Sequence, residues 1–540
     1  MTNSKMTNYG HIIYNKIHQL VISHSSLVII LLLLSSILFF FKLGSFSLYD
    51  AAETTYGEFV KNILKTGDWI TLHYNGEIIF DKPPLYYWLA ALLSKLIGFN
   101  EWAMRFWAAL AGVLTVLTTY ALGKKFYNEK TGFLSGIIVM TAFQFLAQSR
   151  IAELDIVLTL FMLLSLYLWY QWYLSGNKKY IFLAYLPLAF GLLIKGLLAV
   201  ALPACAVFLF LLIKGELSKL KQMAVIPGIL IIALIGLPWY VVEYLIHGKI
   251  FLDFALGFLF LSRFQGVVSG HTGPWYYYFL ALLLGFAPWS HFLPQGLWNT
   301  FKNWKNDPEL LSLCFILPAF IVFSIAKTKI PNYVLPLYPF LAIMVGRLWD
   351  EPERHKRGFL ISNIFFAVVI ALIFIGVIYV GNVQYPAQYA SLIPPLQALA
   401  AALVIGSALS IILFFLRTYW LSFVAIPTMV FVIALILTVW ALPMVENLKG
   451  AKPLGQELSR VIKPNEMIAA YEVGNRPSVV LHSPKPVKFL SGEKELVLFL
   501  KIRQGYAFTT SDEYEKIKPA LPKSVKILDK KGDLLVLFNP

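Results

Sequence analysis

Charge is scarce in this chain: Asp, Glu, Lys and Arg make up 14% of its 540 residues, against 58% hydrophobic residues. So little polar surface cannot clothe so much apolar content, which excludes a water-soluble fold for most of the length. Cysteine is nearly missing. Cys205 and Cys314 each sit inside an apolar run with no CxxC or Cys/His spacing, so they read as packing residues and not as a zinc site. His73 and His271 likewise have no HxxxH partner, and a metal shared with Asp81 or Glu53 finds no support in ligand spacing. No small-x-small cleavage signal follows the first apolar run near 27–45, which reads as a retained anchor. Acidic residues are outnumbered, giving a net charge of +16. The Lys and Arg residues nevertheless fall in short clusters between long apolar runs, where membrane orientation and anionic lipid account for them and nucleic acid does not.

What is abundant is long hydrophobic runs. Their lengths predict about thirteen membrane spans, the first near 27–45 and the last near 420–442, with the stretch 180–213 divided in two at Lys195-Gly196. With a cytoplasmic N-terminus, the clusters Lys124/Lys125/Lys130, Lys178/Lys179, Lys214/Lys219/Lys221, Lys302/Lys305 and Arg354/Lys356/Arg357 all fall on the cytoplasmic side. That agreement requires residues 84–98, with Tyr86, Tyr87, Trp88 and Lys95, to lie at the headgroup level instead of crossing. A second interfacial helix is predicted from Ala51, with Asp50 as its cap. The fold class is therefore an all-α polytopic membrane protein with interfacial helices in its first extracytoplasmic loop. It is expected as a transmembrane domain over 1–445 and a small extracytoplasmic α/β domain over 446–540. In that tail MIAAYEV, SVVLHS, PVKFL, LVLFLKI and KILDKKGDLLVLF read as strand-like, with a turn at Lys531-Gly532-Asp533.

Polar residues collect on the predicted outer side. Asp50 and Glu53 stand three apart just after a membrane exit, a pair able to accept a proton, bind a cation or cap a helix. Asp81-Lys82-Pro83-Pro84 fixes a carboxylate and an ammonium at the start of an aromatic helix. There the lysine binds a lipid phosphate or snorkels, and the aspartate pairs with it. Arg150, Glu153 and Asp155 mark the junction of two spans, with Asp155 salt-bridged to Arg150 or engaged with a charged ligand. Arg263 and His271 follow on the same side, then Lys327, Lys329, Asn332 and Tyr333 around Pro331, where lysines against the positive-inside bias call for a bound anion or a carboxylate partner.

Taken in order, LYDAAETTYGE, GDWITLHYNGEIIFDKPPLYYW, SRIAELD, LLIKG, LPWY, RF…HTGPWYYY and AKTKIPNYVLPLYP resemble the C-class membrane-embedded glycosyltransferases. The resemblance covers about residues 27–345 and is to the bacterial group that holds the lipid A aminoarabinose transferase and is related to protein O-mannosyltransferases. It implies a bacterial inner-membrane enzyme with an extracytoplasmic active site. No cofactor is expected to be required, and ligand spacing does not support a divalent metal. The implied donor is a polyprenyl-phosphate sugar, an aminopentose or a hexose. The implied acceptor is lipid A-like, a glycan or a protein. Many relatives carry Asp-Glu in the first loop, and the position matching that Asp is Ala52 here. Asp50 or Glu53 is then the catalytic carboxylate, Asp50 being favoured, with Asp155 sharing the work. Lys82, Arg263 and Lys327 or Lys329 would hold the phosphate, and Asp81, Arg150, His271 and Tyr333 complete the expected substrate-binding set. A transporter or flippase of lipid-linked sugars is the alternative, disfavoured because no internal repeat is visible and the polar residues cluster at one face.

Overall fold

A computed structural model describes residues 24–255, 272–381, 390–502 and 505–540. Among them, six helices are long and apolar enough to cross a bilayer, and a seventh forms if the pair Leu217–Met223 and Val225–Gly236, bent by 52°, is one span. The sequence predicts about thirteen spans, and shorter apolar helices such as Leu198–Ile213 stand beside these six. Several apolar runs are broken by backbone that a straight helix cannot contain. Residues 132–149 divide into Glu129–Thr141 and Phe143–Gln148 because Ala142 between them is extended. Residues 224–244 divide at Pro238, which starts the helix Pro238–His247. The break at Lys195-Gly196 is where the sequence places it: Gly196 takes φ +76° between Lys178–Lys195 and Leu198–Ile213, a conformation that costs glycine little.

Both helices predicted in the first loop are present, as Ala52–Thr66 and Leu85–Ile97. Two details differ from expectation. The first helix is capped at Ala51 without a side-chain bond, so Asp50 is not its cap. In the second, Tyr86 and Tyr87 are fully buried, Tyr86 donating to the Met104 carbonyl at 2.7 Å, and the outward face is instead Leu92, Leu96 and Ile97. Aromatic residues that suited a headgroup belt are core residues here, and the aliphatic side meets the surroundings.

After the short helix Leu442–Glu446 the chain enters a five-stranded sheet. In chain order its strands are Met467–Tyr471, Val487–Leu490, Gly505–Thr510, Lys526–Lys531 and Leu534–Phe538. The first lies between the second and third, parallel to both, and the last two form an antiparallel hairpin on the third. Gly532, at φ +58°, makes the predicted turn. Two runs read as strands are helices. LVLFLKI lies in Glu493–Lys501, where Leu496, Phe499 and Leu500 are buried at helical spacing and Leu498 is exposed; SVVLHS lies in Pro477–His482, opened by a proline. Short apolar β-prone runs fit both states, and the tertiary partner decides.

The sheet domain is fastened to the first loop. Lys61 donates to the carbonyls of Leu481 (2.5 Å) and Ser483 (3.2 Å), and Asn75 exchanges two hydrogen bonds with the backbone of Val487. Lys452 pairs with Glu101. Gly57 lets Leu48 and Leu481 approach closely, since a β-carbon there would lie 2.8 Å from Leu48 and 3.2 Å from Leu481.

Candidate functional site

The chain leaves its first helix through residues 41–51 and turns under the sheet domain, so the first acidic pair is set by contacts far apart in sequence. Glu53 is 2% exposed and saturated. Its Oε1 accepts from Arg105 Nε (2.8 Å) and the Ala152 amide (2.5 Å), and its Oε2 from Arg105 Nη2 (2.7 Å) and the Tyr49 amide (2.9 Å). Arg105 is fully buried and spends its other donors on the carbonyls of Leu43, Phe46 and Ser47. A carboxylate with all four acceptor positions filled has none for an incoming hydroxyl. Glu53 thus braces the segments that meet at Arg105, while it also lines the cavity described below.

Asp50 is exposed but anchored. Oδ1 accepts from the Ser478 amide (2.7 Å) and the Thr54 hydroxyl (3.0 Å), and Oδ2 from the Ser478 hydroxyl (2.7 Å). The sheet domain thus reaches into the first loop at the very residue favoured as the catalytic carboxylate.

Asp155, in the first turn of the helix Leu154–Ser175, does not bridge to Arg150. It pairs with Lys195 at 2.5 Å, both side chains being 7% exposed, and the ammonium lies 4.9 Å from the centre of the Tyr333 ring. The two helix ends suit this pair, a carboxylate at an N-terminus facing an ammonium at a C-terminus. Arg150 instead donates to the carbonyls of Leu38 (2.6 Å) and Phe41 (2.9 Å), closing the end of the first helix, and it also lines the cavity described below. Lys329 is 6% exposed and bonds the carbonyls of Ser324 and Ala326, both at 2.7 Å. Two of its donors are thereby spent on a helix C-terminus, and burial lowers its pKa. Lys327 is exposed and Tyr333 buried. Lys82 contacts both oxygens of Asp81 at 3.2 and 3.0 Å and sits 5.3 Å from the centre of the Tyr56 ring. Arg263 and His271 lie outside the described residues.

One carboxylate escaped the sequence-based site. Glu153 precedes the span Leu154–Ser175, and burial pushes its pKa up to about 7; the Asp155 charge raises it further, and Lys195 and Lys82 oppose the rise. These mutual influences place Lys82, Glu53, Glu153, Asp155 and Lys195 in one electrostatic neighbourhood. Glu153, Asp50 and Tyr49 face a cavity of about 770 Å³ whose far walls are apolar, among them Leu396, Leu403 and Leu437 of the last long helices. Among the described residues no group of three or more His, Cys, Asp or Glu could hold a metal ion.

Lys195 and Arg105 also went unassigned in the sequence reading. A lone arginine inside WAMRFWAALAG is the signal that could have found Arg105, since an ionised group at membrane depth needs a partner. No sequence pattern points to Ser478.

The family described as dolichyl-phosphate-mannose-protein mannosyltransferase matches residues 81–242. An uncharacterized protein of Aquifex aeolicus is 30% identical over 441 residues, 80% of this chain and 82% of its own. An undecaprenyl phosphate-alpha-4-amino-4-deoxy-L-arabinose arabinosyl transferase of Proteus mirabilis is 28% identical over 382 residues, 68% of each chain. The crystal structure of ArnT from Cupriavidus metallidurans bound to undecaprenyl phosphate superposes with a TM-score of 0.80 at 19% identity, over 96% of this chain and 99% of that one, a likeness of fold.

Proposed function

Because the chain belongs to the C-class membrane glycosyltransferases, we propose that it moves a sugar from a polyprenyl-phosphate donor onto a lipid A-like, glycan or protein acceptor at the outer face of the bacterial inner membrane. The observation that carries this reading is an apolar cavity lined by Asp50 and Glu153, with Lys82 and the Asp155–Lys195 pair near enough to act on the Glu153 charge. Transfer from a lipid phosphate needs cations for the leaving group beside a carboxylate for the acceptor. Lys82 is the phosphate ligand in this reading, and Asp81 holds its charge in check until the donor arrives. The lysines supply the charge stabilisation, so the reaction as drawn requires no cofactor.

The outer location is supported by the course of the helix Asp307–Ile325. It starts at the Lys214–Asp307 pair, in a lysine cluster assigned to the cytoplasm, and ends beside Lys329 and Tyr333. A flippase reading is disfavoured by the arabinosyl transferase relative and the mannosyltransferase family match.

The test is the binding of undecaprenyl phosphate to the purified protein, followed by thermal shift. Lys82→Ala is expected to weaken it at least about tenfold, the loss of one charge-assisted contact. Unchanged binding would refute the grip.

A further inference from the structure

Asp50, Glu53 and Glu153 are the acids that line the cavity, and these and their charged neighbours can be sorted by what already occupies them. Glu53 is saturated by Arg105 and two amides. Asp155 is in contact with Lys195, and Asp81 with Lys82. Asp50 receives three hydrogen bonds, two of them from Ser478. Ala52, which also lines the cavity, brings no carboxylate. Glu153 alone among these acids makes no side-chain hydrogen bond or ion pair with a described residue. It stands at the N-cap position of the helix Leu154–Ser175, with φ −122° and ψ 146°, and yet makes no capping bond, so its oxygens are left to the cavity.

We propose that Glu153 is the general base of the transfer, taking the proton of the acceptor hydroxyl as that oxygen attacks the sugar. This rests on the glycosyltransferase reading and specifies its nucleophile as a protonated oxygen that must be deprotonated. An acceptor lone pair forms the new bond to the anomeric carbon. The bonding pair of the old carbon–oxygen bond leaves with the polyprenyl phosphate, which Lys82 receives. The acceptor's proton passes to Glu153 and from there to water. A base at this place suits the geometry: Glu153 lines the cavity without a capping bond, the charges of Lys82 and of the Asp155–Lys195 pair act on it, and a carboxylate with no bridge of its own takes a proton without breaking one.

The groups facing Glu153 are Asp155, Lys195, Lys82 and Glu53, together with the buried hydroxyls of Tyr86 and Tyr87. Activity requires the deprotonated form, so the rate climbs as pH rises through about 7 and falls away below it.

The experiment uses membrane vesicles from the native host carrying wild type, Glu153→Gln, Glu153→Asp or Asp50→Asn, and follows release of polyprenyl phosphate from the endogenous lipid-linked sugar against pH. Glu153→Gln is expected to lower turnover about 100-fold and to abolish the acid limb, while undecaprenyl phosphate binding to the purified variant stays within about twofold. Glu153→Asp is expected to recover part of the rate and the limb. Wild-type turnover with an intact limb in Glu153→Gln would overturn the proposal, as would a limb that disappears in Asp50→Asn and persists in Glu153→Gln. If deleting the protein leaves the lipid-linked sugar pool unchanged, the glycosyltransferase reading itself fails. That result is distinct from an active enzyme indifferent to position 153.

Discussion

Arg105 and Glu53 lie against each other through two parallel hydrogen bonds of 2.8 and 2.7 Å, the arginine fully buried and the glutamate nearly so. One clamp joins the exit of the first helix, the start of the first-loop helix and, through the Ala152 amide, the loop that carries Glu153. Its role is to hold the site's geometry. Arg105→Ala leaves a buried carboxylate without its cation and is expected to cost about 3–5 kcal/mol of stability. Thermal unfolding in detergent checks this; a variant that keeps its melting temperature contradicts the bracing role.

The Asp155–Lys195 pair allows stability and activity to be separated. Lys195→Met strands a carboxylate at 7% exposure and is expected to destabilise by a similar amount, about 3–5 kcal/mol. The double variant Asp155→Asn/Lys195→Met removes both charges and should recover most of that stability without recovering turnover. A double variant that regains full turnover would show the pair to be purely structural.

Ser478 ties the sheet domain to the first loop through both oxygens of Asp50. Ser478→Ala loses the hydroxyl bond and keeps the amide bond, so it is expected to lower turnover about tenfold, the scale of one hydrogen bond to a charged group, with donor binding unchanged. Ser478→Thr keeps the hydroxyl and should retain most of the activity. Equal rates for Ser478→Ala and wild type would remove the sheet domain from the chemistry.

Composition and run length were enough to read a polytopic membrane protein with a small α/β tail, and the ordered motifs carried the family. The number of crossings was less legible, because breaks such as Ala142 and Pro238 depend on what packs beside the helix and not on hydropathy. In the site, Lys82 beside Asp81 could be read from adjacency. The partners of Asp155 and Glu53 could not: Lys195 and Arg105 lie 40 and 52 residues away, and nothing local couples them. Glu53 looked like a reactive acid because its burial and saturation are tertiary facts. Glu153 looked ordinary for the same reason, since its lack of a partner is visible only when every neighbour has been placed.

In the proposed reaction Lys82 grips a polyprenyl phosphate while its sugar departs. Quantitative lipid mass spectrometry of membranes from the parent, a deletion strain and a Lys82→Ala strain tests it most directly. Accumulation of a polyprenyl-phosphate sugar in both altered strains, with loss of one sugar adduct from the envelope, is the predicted result. Lipid and glycoconjugate profiles indistinguishable from the parent would contradict it.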